Sequence, residues 1–239
     1  MNEDTERITL GICSPGYVST AFMTSILDIA RSQRVLSQCI TLEGSGVISR
    51  LRNQVVSTFL EMSKDDWLLM IDTDEKLSID GFKKLVAAAD KEERPIVSGL
   101  VFGGWQTGQI YLEPVPCIFE LGKDGGLFAI HDYPEETILE IDAAGTGCLL
   151  VHRKVLEAFR ANADQLHQGE KWCYFQDMPL HQEWVGEDLL FCLRAKALGF
   201  LIHAVTGCIL PHERRYWLSA EHHKDFKRFV DKRHMGAEQ

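Results

Sequence analysis

The chain has 239 residues, and its 45% hydrophobic and 25% charged composition is ordinary for a globular protein with one sizeable core. A formal net charge of -10 disfavours a dedicated binder of duplex DNA, because contacts to phosphate need clustered lysine and arginine. The seven cysteines stand singly and indicate reduced core residues, not a zinc site or a disulfide framework. We therefore expect one domain over residues 1–239.

The sequence also bears on the compartment. No segment is long or apolar enough to cross a membrane, and the charged residues 2–7 do not begin a signal peptide. These patterns predict a cytoplasmic protein. Residues 224–233 combine lysine and arginine with an apolar side, which predicts a packed terminal helix with a solvated basic face.

The first third of the chain alternates strands and helices. Apolar runs predict strands at 8–13, 39–42 and 67–71, and helical spacing predicts helices at 18–32, 47–62 and 78–89. This order implies a parallel sheet with right-handed crossovers, as in the mononucleotide-binding half of doubly wound folds.

After a strand at 95–102 the pattern becomes more antiparallel. The segments 111–121 and 127–131 flank a turn at Lys123–Gly126 and predict a hairpin. Further predictions are a strand at 148–151, helices at 153–161 and 186–198, and a strand at 200–205. The fold class expected is α/β, a mixed and mainly parallel sheet flanked by helices with a smaller antiparallel portion.

One stretch between these elements does not predict regular structure. Residues 162–182 are polar and irregular, with Trp172, Tyr174 and Phe175 among them, and indicate a loop that covers something. The mix of polar and aromatic residues from Trp172 to Trp184 predicts a loop over the acceptor side that orders on donor binding.

Two acids follow the third predicted strand directly. On extended backbone Asp72 and Asp74 point the same way, so both can bind one divalent cation. Hard cations such as Mg²⁺ and Mn²⁺ prefer carboxylate and phosphate oxygens together, and ligands of such sheets bind beyond the carboxyl ends of the strands. The pair therefore predicts a metal-bound diphosphate, although Asp-x-Asp also occurs by chance and Ser78 suffices to cap the next helix.

A second acidic pair, Glu187 and Asp188, opens the helix predicted at 186–198. Acids are favoured at a helix N-terminus by the helix dipole, which is a sufficient structural reason for their presence. It does not explain Trp184 and Gly186, which precede them.

Together these motifs resemble the GT-A fold glycosyltransferases, especially the soluble family 2-like enzymes of bacteria and bacteriophages. The likeness runs from Ile8 to His212 and depends on the order and spacing of its motifs. They are Arg50–Asn53, the Asp72–Asp74 pair, Ile96–Leu100, Ala144–Cys148, the Glu187–Asp188 pair, Ala195–Phe200 and a late histidine. Pro211 precedes His212 where these families have glycine or valine, and His203 is a rival for the late position.

The resemblance implies metal-dependent transfer of a sugar from a UDP- or GDP-sugar to an acceptor hydroxyl, with inversion; retaining enzymes share the metal site. It implies a nucleotide-sugar-binding half at 8–104, an acceptor and catalytic half at 105–212 and a C-terminal helical tail at 213–239. The acceptor, whether glycan, protein or modified nucleic acid, stays open, as does the oligomeric state.

The resemblance also implies roles for individual residues. Asp188 matches the position of the catalytic base, with Glu187 as fallback or acceptor contact. The metal ligands, for Mn²⁺ or Mg²⁺ as cofactor, are Asp74, Asp72 directly or through water, and His212. The donor-binding set is Ser14, Pro15, Glu43, Arg52, Asp72 and Thr73. Arg52 could pair with phosphate or hold Asp72 in place, and an exposed helix arginine is the structural alternative. Gly147 and Trp184 are expected on the acceptor side.

Other functions fit the sequence less well. A haloacid-dehalogenase-like phosphatase would carry Thr or Val where Lys76 stands, and its acids would follow the first strand. Gly44 and Gly46 follow the second strand without a third glycine, so they do not form a dinucleotide fingerprint. A GT-A-like module that binds a nucleotide sugar or glycan without turnover is the remaining alternative, and it has no need of a base.

Overall fold

The computed structural model describes residues 6–44, 46–105, 113–163, 173–180, 183–215, 219–224 and 227. The helices are α1 (Thr20–Ser32), α2 (Ile48–Met62), α3 (Ile79–Ala88), α4 (Arg153–Ala161) and α5 (Glu187–Ala197). The strands are β1 (Ile8–Ser14), β2 (Leu36–Glu43), β3 (Trp67–Asp72), β4 (Ile96–Trp105), β5 (Glu113–Pro116), β6 (Ile118–Leu121), β7 (Leu127–Ala129), β8 (Ile138–Ile141), β9 (Ala143–Ala144), β10 (Cys148–His152), β11 (Met178–Leu180), β12 (Glu183–Val185) and β13 (Ile202–Leu210).

One eight-stranded sheet organises the chain, in the order β2-β1-β3-β10-β4-β13-β8, with β5 paired to β4. Strands β2, β1 and β3 are mutually parallel, and β13 is parallel to β4. Strand β10 inserts antiparallel between β3 and β4, so those two strands still run in the same direction. The expected mixed, mainly parallel α/β architecture is thereby confirmed.

Helices cover both faces of this sheet. On one face α2, α4 and α5 pack through residues such as Phe59, Phe159 and Phe191, and on the other α1 and α3 pack through Phe22 and Phe82. Strand β3 is apolar because it is buried on both faces, as expected for the middle of a parallel sheet. Two smaller antiparallel sheets, β7-β6-β9 and β11-β12, lie beside the main one, and β6 and β7 form the predicted hairpin.

Several boundaries differ from those predicted. Helix α1 begins at Thr20 because the Ser19 side chain accepts a hydrogen bond from the Phe22 amide and caps it. Strands β2 and β13 are longer than expected, and β13 continues through a bulge between Val205 and Ile209. Sheet pairing fixes these ends, and pairing is not visible in local sequence.

The predicted irregular loop at 162–182 is partly wrong. Residues 164–172, including Trp172, lie outside the described residues, but Met178–Leu180 pairs with Glu183–Val185. Tyr174 and Phe175 are fully buried in the core, and the Asn53 side-chain oxygen holds their backbone by accepting from both amides, at 3.0 and 3.1 Å. These two aromatic residues therefore belong to the core.

Among the described residues, no helix has the length and apolar character that a membrane crossing requires.

Candidate active site

The carboxyl end of β3 leads into a tight turn that carries the first acidic motif. Asp72 is the last strand residue, and the Glu75 amide donates back to its carbonyl at 3.2 Å. Gly147 lies beside this turn, because its carbonyl accepts from the Asp72 amide at 3.1 Å.

The segment after β13 is fastened to the same turn. Glu75 and His212 form an antiparallel β-bridge, the Glu213 amide donates to the Asp74 carbonyl at 2.8 Å, and the Lys76 amide donates to the Pro211 carbonyl at 3.1 Å. Backbone pairing thus sets the imidazole of His212 against the acids. His203 lies near the start of β13, opposite Val97 and Glu140, and is not part of this cluster.

Both nitrogens of the His212 ring have oxygen neighbours. Nδ1 lies 2.9 Å from the carbonyl of Phe102, which can only accept, so Nδ1 carries a proton. Nε2 then faces Asp74 Oδ2 at 3.0 Å. Burial acts to raise the pKa of Asp74, but the hydrogen bond and charge of His212, with Arg214, outweigh it and hold that pKa below its usual value.

Glu75 is the most unusual side chain of the site. It is 1% exposed, and among the described residues none donates a hydrogen bond to either of its carboxylate oxygens. Its Oε1 lies 3.1 Å from His212 Nδ1, but that nitrogen directs its hydrogen to Phe102. Burial, followed by the charges of Asp74 and Asp72, raises the pKa of Glu75 to about 9. A buried carboxyl without partners needs an explanation beyond stability.

These residues fit a divalent cation. Ligand atoms of Asp74, Glu75 and His212 lie within 4.8 Å of one another. The 3.0 Å between Nε2 and Oδ2 matches two adjacent ligands of an octahedral ion, which at ligand distances of about 2.1 Å lie about 3 Å apart. The Phe102 carbonyl, which accepts from the opposite ring nitrogen, would orient the histidine, and Glu75 Oε1 lies 3.1 Å from that same nitrogen.

Asp72 lies outside that cluster and is bound by Arg52, a buried residue of α2. One guanidinium nitrogen of Arg52 donates to both carboxylate oxygens of Asp72, at 3.0 and 3.2 Å, and another donates to Glu187. Burial acts to lower the pKa of Arg52, but Asp72, Glu187 and Asp188 outweigh it and raise that pKa. One arginine therefore joins the acid at the end of β3 to the acid pair that opens α5.

The two acids of α5 have different surroundings. Glu187 is held by Arg52, and its amide donates to Asp177 at 3.2 Å. Asp188 Oδ1 accepts from the Leu189 amide at 2.8 Å, while Oδ2 lies 3.6 Å from where a Cβ on Gly145 would be. Burial raises the pKa of both acids, against the opposing charge of Arg52.

A cleft of about 570 Å³ opens beside the metal-ligand cluster. It is lined from the β1 end, the β2–α2 connection, the β3 end and the segment after His212 by residues that include Ser14, Pro15, Gly44, Thr73, Asp74 and Arg214. Glu43 pairs with Ser14 in register, and its Oε1 lies 3.2 Å from where a Cβ on Gly16 would be. Of the residues predicted to bind the donor, Ser14, Pro15, Asp72 and Thr73 line this cleft, Glu43 directly precedes Gly44 of its lining, and the buried Arg52 contacts it only through Asp72.

Trp184, on β12, is 71% exposed and stands three residues before Glu187, the first residue of α5. The side chain of Trp105 and all of Tyr111 and Trp172, other aromatic candidates for stacking on a sugar, lie outside the described residues.

Sequence reasoning missed two residues of the site. Glu75 is indistinguishable in the sequence from an ordinary acid before a helix, although its position next to Asp74 was a signal. Nothing local marked Arg214, whose Nη1 lies 3.2 Å from Asp74 Oδ2.

The sheet order and its flanking helices define a GT-A fold. Among the solved structures similar to the chain is A197 from STIV, with a TM-score of 0.57, 19% identity and coverage of 87% of this chain and 86% of that one. Another is GalNAc-T7 with UDP, GalNAc and Mn²⁺, with a TM-score of 0.57 and 11% identity over 90% of this chain and 44% of that one. At such identities the likeness shows the fold alone. No family model and no curated protein sequence match the chain.

Proposed function

We propose that this chain is a metal-dependent glycosyltransferase that moves a sugar from a UDP- or GDP-sugar to an acceptor hydroxyl, with inversion. The observation that carries the proposal is the position of Arg52, which binds Asp72 and Glu187 although 135 residues separate it from Glu187 in sequence. It brings the two acidic motifs into one site. Sugar transfer needs both motifs, because one side of the reaction requires a cation and the other a base.

The cation would be Mn²⁺ or Mg²⁺, held by Asp74 and His212 with Glu75 behind the imidazole. Bound there, it would act as a Lewis acid for the diphosphate that leaves the sugar. The similar structure of GalNAc-T7 contains UDP and Mn²⁺, which supports this assignment. The adjoining cleft of about 570 Å³ is large enough for a nucleotide.

Asp72 would serve the donor, or the cation through water, and would not be a direct metal ligand. Its carboxylate is engaged by Arg52 at 3.0 Å, so it is better placed to accept from a ribose hydroxyl or to bind the metal through water. Ser14, Pro15, Glu43 and Thr73 would complete the donor site.

Asp188 is the better base of the α5 pair. Glu187 forms an ion pair with Arg52, whereas Asp188 Oδ1 accepts from the Leu189 amide and Asp188 Oδ2 lies 3.6 Å from where a Cβ on Gly145 would be. Its raised pKa makes the carboxylate a stronger proton acceptor. Gly147 and Trp184 would lie on the acceptor side. Residues 8–104 would form the nucleotide-sugar-binding half and residues 105–212 the acceptor and catalytic half.

The test is a transfer and hydrolysis assay with labelled UDP- and GDP-sugars in Mn²⁺ and in EDTA. We expect release of UDP or GDP in Mn²⁺, loss of release in EDTA and loss in Asp188→Asn. Metal-dependent nucleotide binding without release from any donor would instead identify a binding module. Binding of neither nucleotide would contradict both functions.

A further inference from the structure

Arg214 and His212 contact the same oxygen. Arg214 Nη1 lies 3.2 Å from Asp74 Oδ2, and His212 Nε2 lies 3.0 Å from it. The backbone around these side chains is fixed, since the Glu213 amide donates to the Asp74 carbonyl at 2.8 Å. The Arg214 side chain is 43% exposed, so its guanidinium can move without disturbing the core.

This arrangement conflicts with a cation on Asp74. A divalent ion bound by Asp74 Oδ2 and His212 Nε2 would share that oxygen with a guanidinium of the same sign of charge. Repulsion at such a distance is large in a partly buried site. Arg214 lines the adjoining cleft, where the oxygens of a diphosphate would offer it new acceptors in the bidentate geometry that arginine prefers.

We propose that Arg214 is an exchangeable counter-ion, paired with Asp74 before the metal and nucleoside diphosphate bind and with the diphosphate afterwards. This inference rests on the proposed function and deepens it. Arg214 would then weaken the binding of the metal alone and strengthen the binding of the nucleotide in the presence of the metal. A purely structural arginine would have neither effect.

The neighbouring Arg215 provides a matched control. It has the same charge and lines the same cleft, but its Nε donates to Glu213 at 3.0 Å and its guanidinium lies 5.9 Å over the Tyr17 ring. Arg214→Gln and Arg215→Gln therefore remove the same charge from the same segment, and only the first frees Asp74.

The experiment measures Mn²⁺ binding from the spectrum of free Mn²⁺ in electron paramagnetic resonance, first without nucleotide. We expect Arg214→Gln to bind Mn²⁺ about two- to five-fold more tightly than wild type, the range of a half-exposed ion pair. Arg215→Gln should shift the affinity by less than half as much. Calorimetry with UDP and GDP in saturating Mn²⁺ should then show nucleotide affinity reduced about tenfold or more in Arg214→Gln.

Unchanged or weaker Mn²⁺ affinity in Arg214→Gln, or an equal gain in Arg215→Gln, would overturn the exchange. Unreduced nucleotide affinity in Arg214→Gln would do so as well. Asp74→Asn separates this failure from failure of the proposed function. If Asp74→Asn loses Mn²⁺ binding while Arg214→Gln behaves as wild type, only the exchange is wrong. If Asp74→Asn binds Mn²⁺ as wild type does, the metal site and the exchange are both wrong.

Discussion

Arg52→Met is the sharpest test of how the site is built. The substitution keeps much of the side-chain volume and removes the guanidinium that joins Asp72 to Glu187. The side chains of Glu187 and Asp72 are 11% and 34% exposed, so Glu187 would be left as a buried carboxylate without its counter-charge while water partly screens Asp72.

The expected loss of stability follows from that burial. Removing one partner of a buried ion pair costs about 3–5 kcal/mol, because the remaining charge is uncompensated. Asp72 adds little, since exposed pairs are worth about 1 kcal/mol or less. For a chain of this size the loss corresponds to a melting temperature lower by roughly 6–20 °C.

Urea unfolding followed by circular dichroism measures the difference. Arg153→Met is the matched control, because Arg153 donates to the carbonyls of Asp65 and Ser63, lies 4.3 Å over the Phe59 ring and has no carboxylate partner among the residues that the structure describes. Its loss should cost less than that of Arg52. Adding Glu187→Gln to Arg52→Met should recover part of the stability. A cost below about 1 kcal/mol for Arg52→Met, or no recovery in the double variant, would refute the reasoning.

Three further predictions concern the acids. Asp74→Asn should remove Mn²⁺-dependent binding of UDP or GDP in calorimetry while leaving the fold intact; equal affinity to wild type would exclude Asp74 as a ligand. Asp188→Asn should lower turnover by about 10²-fold or more with little change in donor affinity, and near-normal turnover would transfer the base role to Glu187 or favour a retaining mechanism. Burial raises the pKa of Glu75 from 4.5 to about 9 in the native state. Between these two pH values the native state holds a proton that the unfolded chain has lost, so the free energy of unfolding falls as pH rises. In EDTA, Glu75→Gln should flatten this fall by up to about 1.4 kcal/mol per pH unit, and an unchanged slope would contradict the raised pKa.

Capping residues and the alternation of strands and helices made much of the fold predictable from the sequence. Ser78 caps α3 by accepting from the Gly81 amide at 2.9 Å, and Gly199 ends the region of α5 with a φ of 88°, a conformation that glycine adopts without strain. The alternation of strands and helices predicted the parallel sheet. The β11–β12 hairpin and the burial of Tyr174 depend instead on contacts with distant residues such as Asn53, so no local pattern predicted them.

The candidate site was also predictable only where local sequence patterns mark its residues. Asp72, Asp74 and the α5 acids were visible as motifs because each lies at the end or start of an element. The link that Arg52 makes between them is tertiary. The bridge between Glu75 and His212 likewise joins segments that are distant in sequence and only meet in the folded sheet.

The electrostatics of the candidate site argue against a purely structural role for its acidic residues. In the part of the chain that the structure describes, buried or half-buried carboxyl groups outnumber the cationic groups that contact them, and burial raises the pKa of Glu75, Glu187 and Asp188 together. A sequence selected for stability alone would place apolar residues at such positions, because an unpaired buried acid destabilises the native state. A bound cation reverses that balance, since a ligand that binds only the native state stabilises it by about 2.7 kcal/mol at a hundredfold excess over its Kd. The proposed cation, held on the far side of His212, would account for the buried Glu75 carboxyl, to which none of the described residues donates a hydrogen bond.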